Sequence, residues 1–314
     1  MREAVRAGMS VGTAARTNQS RTTPARRLLS GFRLSAVVAA AVICGHAEPP
    51  RRIISTAPSI TEMLYTLGLG DRVAAVTEFC HYPPEVRDKP KIGDFLRPNV
   101  ETVLSMQPDL VVLLKEQGTL ADRLRGVGLD VFELRHNDLD GIFESLQALG
   151  ERTGVPTAAA RRIMEIRTAL ERVRGRSSGL PRRGVMFIVG RTPATIQDLT
   201  VVGQGSFLNE LIDIAGGRNV FGAARTFYPR IPREEIYASR PDIIIDMGDM
   251  SETDQVTEGH KRSVTELWKQ MPSLPAVRHG RVYAVANDIF VVPGPRVVEA
   301  AQSLFRMIHP EAAP

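Results

Sequence analysis

Cysteine is nearly absent, two in 314 residues, and aromatic residues make up only 5%, with a single tryptophan. The first scarcity rules out a disulfide-stapled scaffold; the second leaves Leu, Val, Ile and Ala to build the core. A run of about 20 apolar residues, the length needed to cross a bilayer, is also missing, which excludes a multispan membrane protein. What the chain does have is 43% apolar and 24% charged residues, the composition of ordinary soluble globular material. The net charge of +5 is unevenly placed. Residues 1–47 hold seven arginines and one acid, hence +6, and the remainder carries −1. A near-neutral body lacks the clustered, uncompensated cations that a nucleic-acid surface requires, so no nucleic acid is expected as a partner.

Arg26, Arg27 and Arg33 precede the apolar run 34–43, which Gly45-His46-Ala47 follows with small residues at the −3 and −1 places of a cleavage site. This pattern reads as a secretory signal peptide, with the mature chain starting at Glu48 and a periplasmic destination. Cys44 offers lipid attachment as the alternative, but Ile43 stands where such a signal has Gly, Ala or Ser. With the leader removed only Cys80 remains, and no intrachain disulfide can form.

The mature chain repeats itself. Residues 95–112 recur 133 positions later as 228–245: aromatic matches aromatic, Glu101 matches Glu234, and Pro108-Asp109 matches Pro241-Asp242. Residues 59–68 pair in the same order with 206–215. Within each half, short β-branched runs alternate with amphipathic stretches. Strands are predicted at 53–55, 73–76, 110–114 and 131–134, then at 185–189, 243–247 and 282–285. Ser59 with Glu62 reads as a capping box for a helix closed by Gly68, Asn99 and Asp138 as N-caps, and 295–307 as a terminal helix. Residues 157–174, after Pro156 and before Gly175, have helical spacing and would span about 27 Å. The fold class is therefore α/β: two Rossmann-like lobes with central sheets, joined by one long connecting helix. The boundaries are 1–47 for the leader, 48–155 for the first lobe, 156–175 for the connector and 176–314 for the second lobe.

No motif of nucleophilic, metallohydrolase or phosphate-loop chemistry occurs, so an enzyme is not expected. His81, His136, His260, His279 and His309 are scattered and read as surface residues; adjacent Cys80 and His81 are the weak candidates for a metal. Ligands of open α/β lobes sit at the carboxyl ends of strands. Phe79, Phe95, Phe227, Tyr228, Ile289 and Phe290 all fall in irregular stretches there, which suits a cleft for a flat, apolar ligand. Glu101 and Glu234 hold equivalent places in the repeats. If a pseudo-twofold axis relates the lobes, these carboxylates point the same way and match a twofold-symmetric partner.

Four segments, 52–62 (RIISTAPSITE), 82–85 (YPPE), 99–111 (NVE with PDLV) and 216–220 (GGRNV), resemble periplasmic solute-binding proteins of the helical-backbone class, from about Arg51 to His309. That class serves ABC importers for cobalamin, ferric siderophores and haem. The segments 79–84 and 287–290 look most like its cobalamin branch. The resemblance implies that Phe79, Phe95, Tyr228, Asp288, Ile289 and Phe290 contact a corrinoid, that Glu101 and Glu234 dock on arginines of the permease dimer, and that the protein works as a monomer without a resident cofactor. His81 stands where that branch often has Asp, and Phe95, Tyr228 and Ile289 replace tryptophans. An anionic siderophore would instead draw on Arg97, Arg191, Arg225 and Arg230, and haem on Tyr228 or His81.

Overall fold

Buried β-branched runs between capped helices build two sheets on one plan. The computed structural model describes residues 48–248 and 257–312; the expected leader, its cleavage site and Cys44 lie outside them. In the first lobe, β1 (Ile53–Ser55), β2 (Val73–Val76), β3 (Leu110–Leu114) and β4 (Val131–Leu134) are all parallel, in the order β2-β1-β3-β4. They alternate with α1 (Pro58–Thr66), α2 (Val100–Ser105), α3 (Gly118–Gly126) and α4 (Leu139–Arg152). Leu110 and Val112 point to one core, Val111 and Leu113 to another, as a strand covered on both faces requires.

Helix α5 (Pro156–Ser177) leads to the second lobe, which contains β5 (Arg183–Gly190), β6 (Leu199–Val201), α6 (Phe207–Ile214), β7 (Gly217–Asn219) and β8 (Arg230–Ile231). It continues with α7 (Arg233–Ser239), β9 (Ile243–Asp246), α8 (Glu258–Trp268), α9 (Pro275–Arg278), β10 (Val282–Ala284) and α10 (Val297–Ile308). The parallel set β7-β5-β9-β10 repeats the order of the first sheet. Antiparallel β6 and β8 are an addition that the sequence did not reveal, because two or three residues carry no usable periodicity.

The duplication holds in detail. Helices α2 and α7 start 133 residues apart, as do β3 and β9. Just before each Pro-Asp, Gln107 and Arg240 take the left-handed conformation, φ 46° and 44°. The aspartates explain the motif. Asp109 accepts the amides of Arg51 and Arg52 at 2.7 and 2.9 Å, and Asp242 accepts that of Gly184 at 2.7 Å. Each one secures the start of the neighbouring strand.

Two local expectations need correction. Ser59 and Glu62 form no capping box: the N-cap is Ala57, and both side chains are buried in other contacts. Gly175 does not end α5, which continues to Ser177 and breaks at Gly179, φ 82°. The helix is about 33 Å long at 1.5 Å per residue. It turns Ala159, Ile166, Leu170 and Val173 inward and packs on α4 of one lobe and on α6 and α10 of the other. One hydrophobic cluster accordingly runs through both lobes, from Ile53 and Val76 through Leu170 to Ile245 and Leu304. Gly217 belongs to this packing, since a Cβ there would meet Ile212, Ile308 and Val185 at 2.9 Å.

Candidate functional site

The loops after the strands' carboxyl ends meet across the lobes along two seams. At the first, α1 faces the segment between β10 and α10. Arg296 Nε donates to Glu62 Oε2 at 2.9 Å, and its Nη2 donates to the other oxygen. The same guanidinium donates to both oxygens of Asp288 at 2.9 Å and lies 4.1 Å over the Tyr82 ring. At the second seam, α6 faces the segment between β4 and α4. The Leu139 amide donates to Glu210 Oε2 at 2.7 Å, and the Phe207 amide donates to the Asn137 carbonyl at 2.8 Å. In each case a glutamate of one lobe's first helix receives the start of the other lobe's last helix. That reciprocity is what a pseudo-twofold axis between the lobes requires.

The electrostatics of the seams differ. Burial pushes the Glu62 carboxyl up, against the pull of Arg296, while the two carboxylates hold the Arg296 guanidinium above its usual value despite its own burial. The two-point fork from a group that keeps its proton favours the charged pair at neutral pH. Burial also raises Glu210, with the Leu139 amide opposing.

Polar side chains fix the first lobe's loops around this junction. Gln117, at the end of β3, accepts from the Thr56 hydroxyl at 2.7 Å and the Leu114 amide at 3.0 Å, and donates to the Phe95 carbonyl at 2.9 Å. It thereby holds the Phe95 loop over the point where the sheet order reverses, the usual ligand crevice of such sheets. His136 joins Ser59 at 2.8 Å and Ser145 at 3.3 Å. Desolvation lowers its pKa to about 4.

The expected site residues separate into two groups. Phe79, Tyr228 and His81 are exposed, Phe95 half-buried, and Glu101 and Glu234 exposed on the second residue of α2 and α7. Phe227 crosses to the first lobe, lining a cavity of about 170 Å³ with Arg135, Asn137 and Glu144. Larger cavities of about 620 and 580 Å³, beside Tyr65 and His260, are not lined by Phe79, Phe95 or Tyr228. Ile289 and Phe290 correct the expectation: at 6% and 2% exposure they are core side chains, with Phe290 edge-on to Phe187 at 5.4 Å. Asp288 has both oxygens engaged by Arg296. Cys80 is also core, accepting from Thr61 at 3.2 Å, so it points away from exposed His81 and the two cannot share an ion. His136 and His309 are buried rather than on the surface. Among the described residues no three His, Cys, Asp or Glu side chains form a metal set, and no helix is long and apolar enough to cross a membrane.

Sequence reasoning missed Arg296, Gln117 and the buried trio in which Asp246 takes Arg191 Nε at 3.0 Å and the Trp268 indole at 2.7 Å. Arg191 is thus paired with a buried carboxylate. The repeat held a signal for the seams, but an ungapped alignment sets Glu62 against Asn209, one residue short of Glu210.

Comparison with known proteins gives a consistent result. A family model described as periplasmic binding protein matches residues 53–289. An ABC transporter substrate-binding lipoprotein of Bacillus subtilis, itself uncharacterized, is 28% identical over 84% of this chain and 82% of its own. A vitamin B12-binding protein of Vibrio cholerae is 26% identical over 82% and 88%. Among solved structures, a periplasmic haem-binding protein of Roseiflexus in its apo form superposes with a TM-score of 0.69 at 23% identity, covering 84% of this chain and 99% of that one.

Proposed function

The chain belongs to the periplasmic binding protein family, and from that premise we propose that it captures cobalamin between its lobes and delivers it to an ABC permease. The chain is the substrate-binding component of an ABC importer of the B12, haem and siderophore class, a binding protein and not an enzyme. In this reading the lobes are residues 48–155 and 176–314, residues 156–175 connect them, and the protein is a periplasmic monomer delivered by a cleaved leader.

The choice of a corrinoid rests on the aromatic side chains carried by the loops between the lobes. An anionic ferric siderophore calls for converging cations; Arg191 is tied to Asp246 beneath the surface, which leaves exposed Arg97, Arg225 and Arg230 for that reading. Haem would draw on Tyr228, 43% exposed, or on the exposed His81 as its iron ligand. Phe79, Phe95, Phe227 and Tyr228 on the loops suit the apolar and amide periphery of a corrinoid. The continuous α5 limits closure on binding, because bending a helix costs more than swinging loop hinges.

Glu101 and Glu234 dock on arginines of the permease dimer. The reciprocal seams support this, since a pseudo-twofold axis gives both carboxylates one outward sense. Titration with cyanocobalamin, haem and a ferric hydroxamate separates the ligands: tightest binding is expected for cyanocobalamin, and a preference for either of the others overturns the corrinoid. For docking, Glu101→Ala with Glu234→Ala should abolish ligand-stimulated ATPase of the reconstituted importer and spare ligand binding. Unchanged stimulation refutes it.

A further inference from the structure

The duplication repeats a second surface feature that folding does not use. One turn beyond Glu101 on α2 stands Leu104, 36% exposed, and one turn beyond Glu234 on α7 stands Tyr237, 43% exposed. These two positions are again 133 apart. The residue before each, Val103 or Ile236, is completely buried. Each short helix is therefore anchored by one side chain and leaves a large apolar neighbour in water. A single exposed apolar residue is ordinary. The same residue class at the same register in both lobes, three positions after an exposed carboxylate, is not explained by the packing of either lobe.

We propose that Leu104 and Tyr237 are the apolar anchors of the docking surface, so that each tip presents a carboxylate and an apolar side chain about 5–6 Å apart at their Cβ atoms. The matching partner has two equivalent sites, each a cation bordered by an apolar pocket, which is what two copies of one permease subunit offer. The inference rests on the acidic docking proposed above and divides the labour between the two side chains. Exposed carboxylates steer approach and set register, and salt weakens them. Apolar groups withdrawn from water at the centre of each contact hold the complex once formed.

The test uses cobalamin-loaded protein binding to the importer reconstituted in nanodiscs. Leu104→Ser with Tyr237→Ser is expected to raise Kd about tenfold through faster dissociation, undiminished at about 0.5 M salt. Glu101→Ala with Glu234→Ala is expected to slow association instead, with an effect that shrinks as salt rises. Both double variants should keep the wild-type melting temperature and cyanocobalamin affinity, because all four residues are exposed. If the serine variant binds the importer like wild type while the alanine variant does not, the apolar anchors are overturned and acidic docking stands. If neither variant weakens binding, both fall.

Discussion

The two seams occupy equivalent places in a duplicated fold and are made of different chemistry. One buries a charge pair, Glu62 with Arg296, and adds Asp288 and the Tyr82 ring around the same guanidinium. The other sets Glu210 against a backbone amide. A buried ion pair contributes little net stability but penalises heavily the loss of one partner, whereas a carboxylate on an amide is an ordinary polar contact. Duplication has kept the geometry of the lobe contact and let its energetics diverge, so the lobes are held more stringently on the β10 side than on the β4 side.

Mutating the stringent seam should have the largest effect. Arg296→Ala strands Glu62 in the interior and is expected to cost about 3–5 kcal/mol in urea unfolding. A loss under about 1 kcal/mol would erase the contrast between the seams. The double change of Glu62 and Arg296 to Met should recover most of it.

Proton linkage sharpens the comparison next. His136 has a folded pKa of about 4, below its unfolded value near 6.5, so its contribution is present above about pH 6.5 and is lost as pH falls toward 4, roughly 3 kcal/mol in all. His136→Gln should flatten this acid loss, read from unfolding free energies at pH 4 to 7.

Much of this was legible in the sequence. The strand pattern, the N-caps Asn99 and Asp138, the long connector and the Pro-Asp repeat all depend on neighbours within a few positions, where periodicity and capping chemistry operate. The seams were not legible: Glu62 and Arg296 are 234 residues apart, and an isolated charge reads as surface by default. Ile289 and Phe290 misled for the opposite reason. Their segment has loop composition, but its short 3₁₀ turn folds both side chains under itself into the core.

Smaller effects follow. Gln117→Leu removes the clamp on the Phe95 loop and should weaken cyanocobalamin binding about tenfold with little change in melting. An unaltered affinity would take Phe95 out of the ligand contact. Glu210→Gln should cost at most about 1 kcal/mol, since the amide keeps an acceptor. A loss as large as that of Arg296→Ala would make the seams equivalent after all.

The decisive measurement is equilibrium titration of the purified protein with cyanocobalamin, run beside the same titration of a Phe79→Ala, Tyr228→Ala variant. Saturable binding with Kd below about 10 μM, weakened at least tenfold in the variant, is the expected result. No binding of cyanocobalamin, haem or a ferric hydroxamate below that limit would contradict ligand capture between the lobes.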